Sequence, residues 1–270
     1  MAFNTAYDLD ALMVPTKASA IFTAQENSLY LPGTMIPQVK VNSGSFSIQV
    51  PVFGQVAATE LTAAAHPGDD FAVTNVTAAK VSIDANIYAA RDVIRDLGDI
   101  DPMELGRVLG KSVALAFDTS VSTLMTDVSI TNTAVTGGAV TTGELFTAAA
   151  TLRTAGEMGQ LFAILSPTAA AGLLAEIGTA AYAGSDLQNS AMTNSFVGSV
   201  AGILVYQSAS VLAGADGTVF SEDAFRIAMF KNVDLEAQRR AAAVGTDIVA
   251  SLHAGVGITD VTRAYRMTTA

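Results

Sequence analysis

F-V-G-S-V-A-G-I-L-V-Y-Q-S-A-S-V runs from Phe196 to Val211, and after a glycine-containing turn the chain resumes at Val219–Phe225 as V-F-S-E-D-A-F. Gly198 and Gly202 mark a turn. Ile203 to Tyr206 is a short continuous apolar run bounded by turn residues, the pattern of a buried strand. Gln207 and Ser208 stop it, and Val219-Phe220 carry the chain back into the core. A buried strand framed in this way belongs to an α/β unit, and the flanking sequence supplies the other parts.

Upstream, Leu161 to Leu165 is a second short buried strand, and Ser166-Pro167 opens a helix through Ile177 with Ser at the N-cap and Pro at the first helical position. Thr142 opens another helix that places Leu145, Ala148, Ala149 and Leu152 on one face, with Gly156 near its end. Thr131 to Thr142 reads as a loop or short hairpin, and Thr179 to Ser195, with Gly, Ser and Asn and no dominant period, as flexible chain. Asp101-Pro102-Met103-Glu104 is a helix start with the spacing of a capping box. A helix from about 102 to about 125 would be roughly 35 Å long. Its expected face is Leu105, Val108, Leu109, Ser112, Leu115, Ala116 and Thr119.

Residues 1 to about 40 read as an arm. Short apolar pieces at Ala11–Val14 and Ala20–Phe22 alternate with breakers at Pro15, Pro32, Gly33 and Pro37, so the segment must lie across its own core or a neighbour. Phe46, Ile48, Val50 and Val52 then alternate with Ser47, Gln49 and Pro51, which predicts a half-buried edge strand. A second alternation puts Val81, Ile83, Ala85 and Ile87 on one face and Lys80, Ser82, Asp84 and Asn86 on the other. The two strands are joined by about 25 residues, a length uncommon in compact domains unless functional, and together they predict a long projecting hairpin. Toward the end, Ile227–Phe230, Asp247–Ala254 and Ala264–Thr268 read as strands; Leu235–Ala242 is either a short strand or a helical turn.

Half of the 270 residues are hydrophobic and 14% are charged, against about 25% in an ordinary soluble chain. No apolar run reaches the roughly 20 residues a spanning helix needs, so no membrane association is expected. The shortage of charge fits a surface covered by other copies, since interface cores are depleted of charged residues. The net charge of −11, with no basic run beyond Arg239-Arg240, argues against sequence-specific nucleic-acid binding. There are no cysteines, which removes disulfides, thiolate metal sites and Cys nucleophiles. The opening M-A-F-N-T-A-Y-D-L-D has acids but no basic segment followed by an apolar one, so no signal peptide is expected and synthesis should be cytoplasmic.

Catalytic patterns are missing. His66 and His253 are far apart, and His66 precedes Pro-Gly as a turn residue would. Asp69-Asp70 lacks the oxygen count of a calcium site. Gly255-Val256-Gly257 does not follow the dinucleotide pattern, and Gly198-Ser199 is not a nucleophile elbow. No catalytic, cofactor-binding or metal-ligating residue is assigned, and the chain is not expected to be an enzyme. Arg91, Arg95, Arg107 and Lys111 form the nearest thing to a basic cluster. They are expected either to pair with Asp92, Asp96 and Glu104, or to meet acids of an adjacent copy or packaged DNA.

The wording of Gly198–Ser208 and of Phe220–Phe225, together with the closing G-V-G-I-T-D-V-T-R of Gly255–Arg263, resembles the tailed-phage major capsid proteins of the HK97-like fold. The order arm, hairpin, long helix, α/β segment and closing strands agrees with that family over the whole chain. The resemblance implies an α+β fold: residues 1–40 as the N-terminal arm, 41–80 as the extended loop, 81–130 with 231–270 as the peripheral domain carrying the spine helix, and 131–230 as the axial α/β domain. It implies a virion capsid protein, assembled in the host cytoplasm, whose copies form the hexamers and pentamers of an icosahedral shell around double-stranded DNA. The implied partners are other copies, a separate scaffolding protein, a portal and a decoration protein. Some relatives crosslink the loop through a Lys–Asn isopeptide bond; no lysine lies between Val41 and Ala79, so that bond is not expected here. The alternatives are an encapsulin-like compartment shell and a secreted surface-layer or adhesin protein, the latter wanting a signal sequence and repeats.

Overall fold

The computed structural model describes residues 6–41, 44–53, 75–95, 101–127, 129–135, 140–177, 196–200, 202–210 and 216–269. In chain order they form α1 (Ala6–Asn27), β1 (Gln38–Lys40), β2 (Ser47–Phe53), β3 (Ala78–Asp84), β4 (Asn86–Arg95), α2 (Pro102–Met125), β5 (Thr131–Val135), α3 (Thr142–Thr154), β6 (Leu161–Leu165), α4 (Pro167–Ile177), β7 (Phe196–Val200), β8 (Ile203–Gln207), β9 (Gly217–Ser221), β10 (Phe225–Arg240), β11 (Gly245–Ile258) and β12 (Ala264–Thr269). They make a four-stranded sheet, β1-β10-β11-β4, a six-stranded sheet, β5-β12-β9-β6-β8-β7, and the two-stranded hairpin β2-β3.

The elements with strong local signals form where expected. Thr141 caps α3 in a reciprocal capping box with Glu144, and Leu145, Ala148, Ala149 and Leu152 are buried. Gly156, at φ +94°, supplies the left-handed turn just past α3. The Ser166 hydroxyl accepts from the Ala169 amide at 3.2 Å at the start of α4. In α2 the Asp101 side chain accepts from the Met103 amide at 2.9 Å. The expected reciprocal bond from Glu104 does not form; Glu104 turns to Arg107 at 3.5 Å instead.

The N-terminal segment departs from expectation. Residues 6–27 of the expected arm are a continuous 22-residue helix with Pro15 inside it. An interior proline costs about 3 kcal/mol, so this helix is sustained by packing, the usual source of helix stability in proteins. Its small residues Thr16, Ala20 and Ala24 are fully buried against Gly106 and Gly110 of α2. A β-carbon at Gly106 would stand 2.4 Å from the Thr16 carbonyl oxygen, and one at Gly110 would stand 2.3 Å from that of Ala20. The two backbones therefore touch. Lys17 on α1 also pairs with Asp234 of β10 at 2.5 Å.

This docking corrects the expected face of α2. Its buried side is Leu105, Gly106, Leu109, Gly110, Val113, Ala114, Phe117, Asp118, Val121, Ser122 and Met125. Val108, Ser112, Leu115 and Ala116 face outward. The glycines, apolar only by lacking a side chain, rotate the packed face away from the larger aliphatic stripe.

The hairpin strands pair antiparallel from Ser47↔Asp84 to Phe53↔Ala78. The second alternation is not one strand, because it breaks at Ala85. Ile83 is buried, whereas Ile87 is 66% exposed, since β4 leaves the hairpin to pair with β11. Gly255 and Gly257 of β11 admit the hairpin base: β-carbons there would stand 2.2 Å from the Asp84 carbonyl oxygen and 2.7 Å from Ile83 Cγ1. The open reading of Leu235–Ala242 resolves into both alternatives in turn. Strand β10 runs to Arg240 through two register shifts, and Ala241–Ala243 is a 3₁₀ turn ending at Val244, φ +48°.

Two further corrections concern the six-stranded sheet. Residues 131–135, expected as loop or short hairpin, pair parallel with β12. Strand β12 itself, expected to close one sheet together with Asp247–Ala254, lies between β5 and β9, in a different sheet from β11. Its Tyr265 and Met267 complete a core with α3, α4 and the odd-numbered residues of β6. The even-numbered Phe162 and Ile164, with Phe220, face a second core shared with α2 and the four-stranded sheet. Each lobe thus has its own sheet, and the six-stranded sheet is apolar on both sides.

A buried polar node joins α1 to α2. Asp118 is 5% exposed, accepts from the Ser28 hydroxyl at 2.5 Å and from the Leu29 amide at 2.9 Å. Beside it the buried Tyr30 hydroxyl meets Ser122 at 3.3 Å. Burial raises the Asp118 carboxyl from 3.8 to about 6, only partly offset by those bonds. Between those two values the native state holds a proton the unfolded chain has released. This contribution is therefore full below about pH 4 and falls by up to about 3 kcal/mol as pH rises through 6. Denaturant unfolding of the parent across pH 4 to 7 should show that decline, and Asp118→Asn should flatten it; equal slopes in the two proteins would remove Asp118 as its source.

Candidate assembly interface

Three features expose large apolar side chains. Phe46 is 87% exposed beside β2, and Phe53 is 67% exposed at its end. Among the described residues strand β2 pairs only with β3, and a two-stranded hairpin is at best marginally stable in water on its own, so the part beyond the base on β11 gains from being covered. On the second feature, α1 and α2 flank a groove of about 870 Å³ lined by Pro15, Phe22, Met103 and Val108 together with the charged Glu26, Glu104, Arg107 and Lys111; Leu115 lies further along α2, 57% exposed. The hydroxyls of Ser112 and Thr119 on this side are turned back onto the Val108 and Leu115 carbonyls at 2.8 Å, which lowers its polarity. The third feature is the stretch from α3 to β6, where Phe146 on the helix and Met158, 81% exposed, in the turn before β6 are both exposed. Reading α2 by its aliphatic spacing missed the second feature by assigning those residues to the core; the glycine pair Gly106/Gly110 was the signal that they lie outside it.

The basic cluster divides. Arg91 makes a two-bond fork with Asp247 of β11, the next strand, rather than with Asp92, which accepts from the Val93 amide. This fork holds the Asp247 carboxyl below its usual value. Arg107 pairs with Glu104 as expected. Among the described residues Arg95 and Lys111 have no carboxylate partner. His253 lies on β11 opposite Ile87 and Lys231. His66, Asp69, Asp70, Asp96 and the expected flexible segment 179–195 fall largely or wholly outside the described residues. Among the described residues no three His, Cys, Asp or Glu side chains form a metal-binding group, and no helix is long and apolar enough to cross a membrane.

No protein-family model matches the sequence, and no curated protein does. Solved structures do. The chain superposes on the capsid protein of Ralstonia phage GP4 with a TM-score of 0.71 at 10% identity, covering 90% of this chain and 91% of that one. For the capsid of cyanophage P-SCSP1u the TM-score is 0.64 at 16% identity, covering 87% and 86%. The fold is that of phage capsid proteins. A virus-like particle from Pyrococcus furiosus shares it, with a TM-score of 0.66 at 10% identity over 96% of this chain and 98% of that one.

Proposed function

We propose that this chain is a major capsid protein whose copies close into the hexamers and pentamers of an icosahedral shell around the double-stranded DNA of a tailed phage. The observation that carries the reading is end-to-end likeness to a phage capsid chain, 90% of one and 91% of the other, in a molecule with only 14% charged residues and apolar side chains exposed on three features. The mechanism is geometric. Heterologous contacts that close a ring bury those faces, and many modest contacts per subunit add through multivalency. In finer detail, α2 serves as the spine helix of an HK97-like fold, β2-β3 as the base of the extended loop, and the six-stranded lobe as the axial domain. DNA is held without sequence readout, consistent with the acidic balance. A separate scaffolding protein and a portal are the partners proposed for such a shell, with a decoration protein as an optional third.

A second reading, a compartment shell enclosing protein cargo, is favoured by the near-complete coverage of the archaeal virus-like particle. The test is negative-stain electron microscopy of the chain expressed alone and with its neighbouring genes. Closed shells or capsomer rings are the expected product; a monodisperse monomer under every condition would overturn both readings. The contents of purified shells, nucleic acid or protein, choose between them.

A further inference from the structure

The two phrases Phe220–Phe225 and Gly255–Arg263 are far apart in sequence and meet at one corner of the fold. The β9–β10 turn and the β11–β12 turn are two of the places where the chain passes between the sheets. They are tied together by the Thr259 amide donating to the Ala224 carbonyl at 2.9 Å and the Thr259 hydroxyl donating to the Asp223 carbonyl at 2.9 Å.

Over this corner lies one guanidinium. Arg263 Nη1 reaches Glu157 Oε2 at 3.0 Å and Asp223 Oδ2 at 3.2 Å, and its Nε reaches Asp260 Oδ2 at 3.2 Å. Each carboxylate spends its other oxygen at home. Glu157 Oε1 accepts from the Gly159 amide at 2.9 Å, Asp223 Oδ1 from Arg226 at 2.7 Å, and Asp260 Oδ1 from the Thr262 amide at 2.9 Å. Three turns, each organised by its own acid, thus share this one guanidinium, which adds to the Thr259 bonds and to the Ser221 hydroxyl's bond to Glu157 Oε2 at 3.1 Å. Glu157 belongs to the six-stranded lobe, and the other two acids sit on the crossings.

Beneath the ionic layer the lobes touch through rings. Phe220 and Phe225 stand edge to face with centroids 5.3 Å apart, and Phe162 lies 6.0 Å from Phe220. To this packing, charge-assisted bonds to a planar guanidinium add geometric specificity. We propose that Arg263 is a positioning residue that fixes the angle between the two lobes, and that in an assembled shell this angle sets the inclination of each subunit to its neighbours. The second half rests on the shell reading; the first does not.

The absence of cysteine makes the test clean. Spin labels at Ala150→Cys on α3 and Gln238→Cys on β10, both exposed positions, report the distance between lobes in the unassembled chain by pulsed electron resonance. The parent should give one narrow distribution. Arg263→Met should broaden and shift it, and Arg263→Lys, which keeps the charge but not the fork, should lie between. The parent should also broaden in about 1 M salt, where the screening length is about 3 Å. An Arg263→Met distribution matching the parent overturns the proposal. Should Arg263→Met fail to fold, Glu157→Gln and Asp260→Asn take its place: broadening in both supports the clamp, and unchanged distances in both overturn it. Shells of Arg263→Met should spread in diameter, and uniform parental diameters would overturn the second half. A parent that forms no shells counts against the shell reading, while the distances still decide the clamp.

Discussion

Gly110→Ala is expected to destabilise the protein by about 3 kcal/mol, within the range for forcing atoms into a packed core. Helix propensity alone predicts the opposite sign, since alanine is favoured over glycine inside a helix by about 1 kcal/mol. The difference is geometric. The added methyl would stand 2.3 Å from the Ala20 carbonyl oxygen and 2.9 Å from its Cα, and these are backbone atoms that move only if the whole of α1 moves. With α1 displaced, the Ser28–Asp118 bond at its end is strained as well. Gly143 in the first turn of α3 is the control, because a methyl there meets nothing nearer than the Thr141 hydroxyl at 3.8 Å. Denaturant midpoints should fall for Gly110→Ala and hold or rise for Gly143→Ala. Limited proteolysis of the Gly110 variant should release α1 first. Equal midpoints for Gly110→Ala and the parent would mean that the two helices are not in backbone contact.

Deleting residues 56–70 is expected to abolish stable shells and leave the subunit folded. The deleted stretch lies outside the described residues, but its flanks do not: β2 and β3 remain paired from Ser47↔Asp84 to Phe53↔Ala78, and both hydrophobic cores are built from other elements. Shortening a loop lowers its closure entropy only slightly, so the thermal midpoint should barely change. In the proposed shell, assembly differs, because the loop beyond the hairpin would lie over a neighbouring copy and its deletion recurs at every subunit. Circular dichroism melts report the fold and electron microscopy the shells. Intact shells from the deleted chain would remove the hairpin from the assembly mechanism; a chain that no longer folds would make it part of the core instead.

The places where sequence and structure agree share a cause. Helices α3 and α4 and the start of α2 are announced by residues that act on their own neighbours, such as Thr141 with Glu144 and Ser166 with Pro167. Strand β6 is apolar at all five positions because both of its faces are covered, and β2 alternates because only one is. Local chemistry of this kind needs no partner to be read. The apolar exposed faces were legible only as a shortage of charge, which signals that a surface will be covered without saying which one.

What the sequence determined by itself is therefore most of the short elements, the caps of α3 and α4, and the strands that pair as β2 and β3. What only the tertiary structure decided is which faces meet: a helix running through Pro15, the rotation of α2 about Gly106 and Gly110, the transfer of β12 to the six-stranded sheet, and the gathering of Glu157, Asp223 and Asp260 around Arg263. Each depends on close approach between segments remote in the chain. A glycine that admits a backbone, or an arginine that collects two distant acids, Glu157 and Asp223, carries no local signal of the partner it will meet.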